Sequence, residues 1–465
     1  MECFVVYKDE IEGRLDPFYY KPSLFKVRRK IQKKYGLCFL KDFVEDVYRY
    51  PTFYNINYQK AGVRVIKGEN INEDGLIDED QNFDYIDINT HNKFKRTHLK
   101  KGDLVFTVRG IIGKVGFYNF DDEGNINANV IKIRIKKEHN PKFFWIYLNS
   151  KIGQTFIESL SSGQVQKTIT VPDILKIPIP KLDLETQNTI VQLMENAYKI
   201  KKQKETEAQQ LLNSINDYVL SELGIKLPEL KDQMTFVVYA DDVKGKRLDA
   251  YYYQPKFEEV EKAIENGKFG VRELKEITVN IKTGTTPHQK MNPFTKNEEI
   301  IFLRNSDLDK NKILLDNVNY VRKELEKQLI FSKKDELIIC IAGTIGISAV
   351  NIFDFPIAIN QNISSLELKE DVNPFYISSM LNLDIYLKYK FPRIASVATI
   401  FYINNANLLN LKIPLPPLEV QNKIAEEVKK RMKKAEQLQK EAKEVLVKTK
   451  QEVENIILNG EEHGN

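Results

Sequence analysis

The amino-acid sequence repeats one unusual segment, and this repeat constrains the fold more than any other feature. FVVYKDEIEGRLDPFYYKP begins at Phe4, and FVVYADDVKGKRLDAYYYQP begins at Phe236. Twelve of the nineteen paired positions are identical when Lys246 is treated as an insertion. The two starts lie 232 residues apart, half of a chain of 465 residues. Because a long fixed period is the mark of an internal repeat, the sequence predicts two copies of one domain.

Further matched segments follow in the same order in both halves, so the duplication covers nearly the whole chain. The matched pairs are RVIKGENI (64–71) with IFLRNSDL (301–308), KKGDLVFTVRGIIGKVGF (100–117) with SKKDELIICIAGTIGISA (332–349), NINANVIKIRI (125–135) with AINQNISSLEL (358–368), and ILKIPIPKLDLETQNTI (174–190) with LLNLKIPLPPLEVQNKI (408–424). Two glycines align within them, Gly110 and Gly113 with Gly343 and Gly346. A long charged segment ends each copy. The order of parts is therefore domain, helix, domain, helix.

Within each copy, short alternating or apolar runs such as VIKIRI and LIICIA predict strands. Asn-Pro pairs at 140–141 and 373–374 predict helix starts. We therefore predict an α+β fold of two tandem-duplicated α/β domains separated by two long helices. The predicted boundaries are, in order, 1–180 for the first domain, 181–230 for its helical region, 231–412 for the second domain and 413–465 for its helical region.

The two charged segments, 185–223 and 419–458, predict long helices with an apolar seam. Neither contains an internal proline or glycine, and each would extend about 60 Å at 1.5 Å per residue. One such helix per repeat favours an antiparallel coiled coil with a pseudo-twofold axis, against two unrelated surface helices as the alternative. The predicted packing residues are Ile190, Met194, Ala197, Leu211, Ile215, Ile424, Val428, Ala435, Leu438, Ala442, Val445 and Ile456.

Composition is that of an ordinary soluble globular protein, with 42% hydrophobic and 29% charged residues and a formal net charge of +5. This charge permits nucleic-acid binding but does not indicate it, since a local basic patch matters more than the total. Cys3, Cys38 and Cys340 form no close pair, which favours a reducing cytosol without disulfides. The first residues lack a charged-then-apolar pattern, so no signal segment is expected. The longest apolar run, 337–350, is too short to span a bilayer and predicts two buried strands around a turn.

A search for catalytic motifs is negative. NPFY (373–376) and DPFY (16–19) lack the second proline of the Asn/Asp-Pro-Pro-aromatic motif of amino-methyltransferases. GIIGKVG (110–116) fits neither a Walker A loop nor a dinucleotide fingerprint, and no Gly-x-Ser-x-Gly elbow occurs. No histidine has metal-ligand spacing with a second His or Cys; the five are His91, His98, His139, His288 and His463. We therefore predict no catalytic residue and no metal site.

Five polar loops are candidates for contact with nucleic acid. HNKFKRTHLKK (91–101) is strongly basic, YRYPTFYNINYQKAGVRV (48–65) interleaves cations with aromatics, and IKTGTTPHQKMNPF (281–294) is the counterpart of the latter. SSGQVQKTITVPD (161–173) and RIASVATIFYINN (393–405) form another pair. Such side chains bind phosphates and base edges, although a solvated charged loop is the alternative. The candidates are Arg49, Tyr54, Lys60, Arg64, Lys93, Lys95, Arg96, Gln164, Gln166, Lys167, Lys282, Thr283, Thr285, His288, Gln289, Lys290, Arg304 and Arg393.

Several motifs recur in a fixed order in both halves, and together they resemble one family. They are TGTTP (283–287), FLRNSDL (302–308), KKGDLVFTVRGIIGKVG (100–116), IAGTIGISAV (341–350), SSGQVQKTI (161–169), and above all IPIPKLDLETQNTIV and IPLPPLEVQNKIAEEV before the long helices. Their arrangement resembles the specificity subunit of type I restriction-modification systems over essentially the full chain. The first domain lacks a clear TGTTP, and the second lacks the Gly-Gln element of SSGQVQK.

The resemblance implies two target recognition domains, each binding one half of a split DNA sequence in the major groove. It implies helices that pack antiparallel and set the distance between the half-sites. The subunit would not be an enzyme. It would dock two methyltransferase subunits and, through them, restriction subunits, in the cytoplasm and away from any membrane. S-adenosylmethionine, ATP and Mg are expected on those partners, and no cofactor is expected on this chain.

Two alternatives stay open. One is a self-contained DNA methyltransferase, against which the missing cofactor and Pro-Pro motifs argue. The other is a scaffold or antirestriction-like interaction protein that docks partners without reading DNA.

The duplicated opening segment is expected to be shared framework, because residues that read different half-sites must differ between the copies. Its matched side chains, Arg14, Asp16, Arg247 and Asp249, are expected to tie each domain to its own helix or to a partner subunit.

Overall fold

The fold is described by a computed structural model over residues 20–36, 38–49, 56–161, 168–244, 247–397 and 401–459. Contacts group the chain into two units. The first unit comprises Met1–Glu205 with Lys440–Asn465, and the second comprises Thr206–Gln439. Each long helix therefore contributes one part to each unit, whereas the predicted boundaries after residues 180 and 412 assign each helix to one region.

The first unit combines short strands with short helices. They are α1 (Pro22–Tyr35), β1 (Cys38–Phe39), α2 (Leu40–Phe43), β2 (Val44–Arg49), β3 (Val63–Ile66), β4 (Asp84–Ile86), α3 (Ile88–Lys93), β5 (Leu104–Thr107), β6 (Val115–Phe117), β7 (Asn125–Ile126), β8 (Val130–Ile135), α4 (Pro141–Asn149), α5 (Lys151–Leu160), α6 (Val171–Ile174), β9 (Pro178–Ile179) and the start of the long helix α7 (Leu184–Leu223).

The second unit follows the same plan with additional short strands. Its elements are α8 (Ala240–Val243), α9 (Pro255–Glu265), β10 (Val271–Glu273), α10 (Leu274–Ile277), β11 (Thr278–Thr283), β12 (Phe294–Thr295), β13 (Ile300–Leu303), β14 (Leu308–Asp309), β15 (Lys312–Ile313), β16 (Asn319–Val321), β17 (Ile330–Ser332), β18 (Leu337–Cys340), β19 (Ser348–Val350), β20 (Ile357–Ile359), β21 (Ile363–Leu368), α11 (Pro374–Leu381), α12 (Phe391–Ile394), β22 (Ser396–Val397), β23 (Phe401–Tyr402), α13 (Asn405–Leu409), β24 (Lys412–Pro414) and the start of the long helix α14 (Leu418–Asn459).

The two units share the plan of their two main sheets, which confirms the predicted tandem duplication and the α+β class. The antiparallel sheet β2-β8-β5-β6 of the first unit has its counterpart in β11-β21-β18-β19 of the second. Each unit also contains a mixed sheet with one parallel pair, β3 with β7 and β13 with β20. The register pairs Arg49 with Ile131 and Thr283 with Ser364. Arg49 and Thr283 therefore occupy corresponding places at the ends of corresponding strands.

The paired glycines form the turns that join β5 to β6 and β18 to β19. Gly110 and Gly113 have φ of 75° and 87°, and Gly343 and Gly346 have φ of 77° and 89°. Residues with a Cβ atom are disfavoured in this left-handed region. The apolar run 337–350 accordingly forms two buried strands around a turn, as predicted.

The Gln-Asn pair near the start of each long helix locks that helix to the domain. Gln187 Oε1 accepts a hydrogen bond from the backbone N–H of Asn140 at 2.9 Å, and Asn188 Oδ1 accepts from the Asn140 side chain at 2.8 Å. Asn140 also caps α4. The second unit repeats this arrangement with Gln421, Asn422 and Asn373, at 2.9 and 2.7 Å. The Gln-Asn pair in the first turns of each long helix therefore has a structural role.

Within the second unit, the end of α7 packs antiparallel to the start of α14. Arg431 Nη1 donates to the Ser214 carbonyl oxygen at 2.9 Å, and Lys423 Nζ lies 2.9 Å from Glu222 Oε2. Residue numbers thus rise along one helix as they fall along the other. Farther along this pairing, Ala208, Ala435 and Leu438 form a small apolar cluster.

Within the first unit, the start of α7 packs beside the end of α14. Lys204 Nζ lies 2.6 Å from Glu441 Oε2. Asp74 bridges both helices, with one oxygen 2.5 Å from Lys201 Nζ and the other 3.1 Å from Lys450 Nζ. The twelve predicted seam residues are all buried or partly buried across the two units. No helix in the described part of the chain is long and apolar enough to cross a membrane.

Candidate nucleic-acid interface

The basic segment 91–101 lies on α3 and the turn that follows it. Lys93, Lys95 and Arg96 are exposed. The Arg96 guanidinium lies 4.2 Å from the ring centre of Tyr48 and 3.4 Å from Asp46, yet its side chain is 65% exposed. The segment therefore keeps most of its positive surface open to solvent.

The guanidinium of Arg64, unlike the exposed cations of the basic segment, contacts side chains of the first domain itself. The guanidinium lies 3.9 Å from the ring centre of Phe120 and 5.0 Å from that of Phe83. Asp122 accepts a hydrogen bond from it at 3.4 Å, and the side chain is only 18% exposed. Lys60, in contrast, is exposed.

Four predicted site residues, Tyr54, Gln164, Gln166 and Lys167, lie outside the described residues.

A cleft of about 480 Å³ opens beside the turn between β5 and β6. Arg109, Lys114, Asn127 and Asn129 are among the residues that line it. Arg109 is exposed and has no acidic partner among the described residues. Glu69 also lines the cleft, where it lies 3.7 Å from Lys67.

Arg49 ends β2 next to this cleft. Its Nε donates to the carbonyl oxygen of Ala128 at 3.3 Å, within the turn that joins Asn127 to Asn129. Burial lowers the pKa of the Arg49 guanidinium, and the charge of Arg109 lowers that pKa further. Positive charge beside a cleft favours an anionic ligand. We call Arg49, Arg109, Asn127 and Asn129 the cleft cluster.

The second domain has uncharged groups at the corresponding place. Thr283 matches Arg49, and Ala342 matches Arg109 because Gly343 matches Gly110. The Thr283 hydroxyl lies 2.9 Å from Ser364 Oγ and accepts from Asn405 Nδ2 at 2.9 Å.

The loop after β11 carries several predicted residues. Thr285 donates to the carbonyl oxygen of Gln328 at 2.7 Å, which fixes the start of the loop. The side chains of His288, Gln289 and Lys290 follow, and all three are exposed.

Three predicted cations of the second domain are held by contacts inside it. Lys282 pairs with the buried Glu336 at 2.8 Å. Arg304 pairs with Asp307 through two hydrogen bonds, at 2.8 and 3.0 Å. Arg393 is 18% exposed, and its guanidinium lies against the rings of Tyr252 and Phe257.

His91 and His98, both within the basic segment, form a compact cluster with Glu123. Burial lowers the pKa of His91, and the neighbouring His98 lowers it further. The sequence predicts no metal site at these histidines, because none has metal-ligand spacing with a second His or Cys. Arg109, Asn127 and Asn129 were also missed, although Arg109 stands where the second copy has alanine.

Comparisons with known proteins agree on one family. The family model for the type I restriction modification DNA specificity domain matches residues 39–213 and 266–447. The chain designated MjaX specificity subunit of a type I restriction enzyme, from Methanocaldococcus jannaschii, is 24% identical over 456 residues, which is 95% of this chain and 97% of that protein. The EcoBI type I restriction enzyme specificity subunit of Escherichia coli is 28% identical over 170 residues, which is 36% of this chain and 35% of that protein.

The fold also matches a solved chain from a study of complex assembly and conformational transition in the type I R-M system. The TM-score is 0.51 at 14% sequence identity, with 91% of this chain and 97% of that chain covered. Because the family model matches both halves of the sequence, the chain belongs to the type I restriction-modification DNA specificity family and serves in DNA sequence recognition.

Proposed function

We propose that the chain reads a bipartite double-stranded DNA target, one half-site with each domain, as the non-catalytic specificity subunit of a methyltransferase and endonuclease complex. The proposal rests on one observation: the two domains share a fold but carry different side chains at corresponding positions of the candidate site. Arg49 and Arg109 in the first domain correspond to Thr283 and Ala342 in the second. A duplicated reader of an asymmetric target needs this pattern, because base contacts must differ while phosphate geometry repeats.

In the first domain, the cleft cluster provides direct readout. A guanidinium pairs with the O6 and N7 atoms of guanine, and an asparagine amide pairs with N6 and N7 of adenine. The exposed cations Lys60, Lys93, Lys95 and Arg96 neutralise phosphates on either side. Arg64 contributes by holding its strand in place, since Phe83, Phe120 and Asp122 engage it.

In the second domain, the loop after β11 provides the contacts. Thr283, Thr285 and Gln289 offer uncharged donors and acceptors, and His288 and Lys290 lie exposed beside them. Hydroxyl and amide groups recognise different base edges from those that arginine prefers. Lys282, Arg304 and Arg393 contribute less to DNA binding, because each is already engaged by other groups of its own domain.

The long helices set the spacing between the half-sites and dock two methyltransferase subunits, through which restriction subunits join. Those partner subunits bind S-adenosylmethionine, ATP and Mg. Such a complex acts in the cytoplasm, where chromosomal DNA is accessible.

The first experiment measures methyl transfer by the purified chain with and without a cognate methyltransferase subunit. We expect transfer only from the mixture, at a bipartite site identified by sequencing the modified genomic DNA. Transfer by the chain alone would instead establish a self-contained methyltransferase. Binding of the partner with no DNA affinity at any salt concentration would establish a scaffold.

A second experiment separates reading from spacing. Exchange of residues 1–180 for the same part of a related protein is expected to change one half-site only. A seven-residue insertion beside Lys201 is expected to change the spacer and leave both half-sites unchanged. An insertion that altered the recognised bases would refute the spacing role.

A further inference from the structure

One turn is built in the same way in both domains. In the first domain it comprises residues 127–129, with the sequence Asn-Ala-Asn, and it joins β7 to β8. In the second domain it comprises residues 360–362, with the sequence Asn-Gln-Asn, and it joins β20 to β21. We call these segments the Asn-x-Asn turns.

The first asparagine of each turn has a structural role. Asn127 Oδ1 accepts a hydrogen bond from the backbone N–H of Asn129 at 3.0 Å. Asn360 Oδ1 accepts one from the backbone N–H of Asn362 at 3.1 Å. An asparagine that bonds the backbone two residues farther on closes an Asx turn. The identity of this asparagine in both copies is therefore explained by the fold.

Each turn is also tied to the glycine-containing turn beside it. The carbonyl oxygen of Asn129 accepts a hydrogen bond from the backbone N–H of Val108 at 2.9 Å. The carbonyl oxygen of Asn362 accepts one from the backbone N–H of Ile341 at 2.8 Å. The second asparagine thus contributes both of its backbone groups to the fold in each domain.

The side chain of the second asparagine has no comparable role. Among the described residues, the amide groups of Asn129 and Asn362 form no hydrogen bond within the protein. Asn129 is exposed and Asn362 is half-buried. Neither residue has a positive φ, so the backbone does not favour asparagine over other residues there. The fold therefore does not explain why both copies have asparagine at this position.

Each turn also leaves one backbone donor open. The N–H groups of Ala128 and Gln361 have no hydrogen-bond partner in the part of the chain that the structure describes. Each turn therefore offers a backbone N–H followed by a side-chain amide. Both kinds of group donate to phosphate oxygens in protein–DNA complexes.

A surface that is the same in both domains is suited to a feature that both half-sites share. The bases differ between the halves of an asymmetric target, whereas the sugar-phosphate backbone repeats. The turns also carry no charged side chain. Arg49 and Arg109, whose counterparts are Thr283 and Ala342, do not belong to this shared surface.

We propose that each Asn-x-Asn turn binds one backbone phosphate of its half-site. The phosphate accepts hydrogen bonds from the amide of Asn129 or Asn362 and from the backbone N–H of the preceding residue. The contact sets the position of each domain along the duplex, so that the residues that differ between the copies face the base edges. The proposal rests on the proposed function, because it requires that both domains bind DNA.

The test uses the full-length chain and a duplex with the bipartite site found by sequencing the modified genomic DNA. Methylphosphonate, which is uncharged, replaces one phosphate linkage at a time. Asn129→Ala is expected to reduce the effect of methylphosphonate at a single linkage of one half-site, and Asn362→Ala at a single linkage of the other. Each variant is expected to weaken binding about tenfold, the effect of one hydrogen bond to a charged group.

Two further measurements distinguish a phosphate contact from other roles. Both variants are expected to lose affinity for the cognate and a scrambled duplex by the same factor, because a phosphate contact carries no sequence information. The dependence of affinity on salt is expected to stay unchanged, because an amide has no charge and releases no counterions. The melting temperatures are expected to match that of the unaltered chain.

Asn119→Ala is the matched control. Asn119 is also exposed, and it follows the end of β6 opposite to the cleft. This variant is expected to bind DNA like the unaltered chain.

Two results would overturn the proposal while leaving the proposed function intact. One is a chain that binds DNA equally well as Asn119→Ala, Asn129→Ala and Asn362→Ala. The other is a loss confined to the cognate duplex together with an effect of 7-deazaadenine that Asn129→Ala removes, which would identify a base contact. Absence of DNA binding by the unaltered chain at any salt concentration would overturn the proposed function as well.

Discussion

Replacing Arg109 with alanine is expected to weaken DNA binding and to make that binding less sensitive to salt. Arg109 is exposed and has no acidic partner among the described residues, so its full charge is available to a phosphate. Each neutralised phosphate contributes a slope of about −0.9 to the dependence of log K on log salt concentration. Loss of one contact should therefore reduce the drop in affinity between 50 and 200 mM salt by about 3.5-fold.

A base contact would give a different result from a phosphate contact. If Arg109 pairs with a guanine, its loss costs about 1–3 kcal/mol on the cognate duplex and little on a scrambled one. Fluorescence anisotropy with both duplexes, across a salt series, separates the two cases. Either outcome places Arg109 on the DNA surface.

Lys137→Ala is the matched control for this experiment. Lys137 is also exposed, and it follows the opposite end of β8 from Asn129. We expect this variant to keep the affinity and the salt slope of the unaltered chain. If Arg109→Ala and Lys137→Ala behave alike on both duplexes, the cleft is not a DNA-binding surface and the reasoning fails.

Three predictions concern stability. Gln421→Ala removes the hydrogen bonds to the backbone N–H of Asn373 at 2.9 Å and to the carbonyl oxygen of Pro416 at 2.8 Å. The free energy of unfolding measured in urea should fall by about 1–3 kcal/mol for each unsatisfied group. Gly346→Ala should lower the melting temperature more than Gly110→Ala, because a Cβ atom at 346 would lie 2.2 Å from Phe391 whereas nothing lies within 4 Å of one at 110. Burial raises the pKa of Asp74, but its two lysine partners outweigh burial and leave the pKa lowered. Because a depressed carboxyl pKa stabilises the fold above the unfolded value and loses this effect in acid, Asp74→Asn should narrow the stability difference between pH 7 and pH 3 in denaturant titrations.

The fold shared by the two domains was predictable because its defining residues occur in both copies of the sequence repeat. Asn140 and Asn373 stand before proline in both copies, and both cap a helix as predicted. The paired glycines at 110 and 343 share the same left-handed backbone. The long helices of 40 and 42 residues were predictable because neither contains a proline or glycine and apolar residues recur at helical spacing, although the seam of α7 is weaker in its polar middle.

Individual site residues were less predictable because their surroundings come from distant parts of the chain. Arg64 lies in a segment rich in aromatics and cations, which predicted a DNA contact. Its partners Phe83, Phe120 and Asp122 come from later loops and engage the charge within the domain. His91 and Glu123 likewise meet only after the sheet forms, so spacing along the sequence gave no signal.

The duplicated opening segment fits this division between framework and reading surface. Arg247 pairs with Asp249 at 2.7 Å and donates to the backbone oxygens of Arg393 and Ala395. It therefore ties the segment to the end of α12 in its own domain, where the expectation was the long helix or a partner subunit. Arg14 and Asp16 of the first copy lie outside the described residues. A side chain that satisfies backbone groups cannot change without loss of stability. The side chains at positions 109 and 342 do not hydrogen-bond to backbone groups of the described residues. Substitutions there can therefore change the DNA specificity while the duplicated fold is kept.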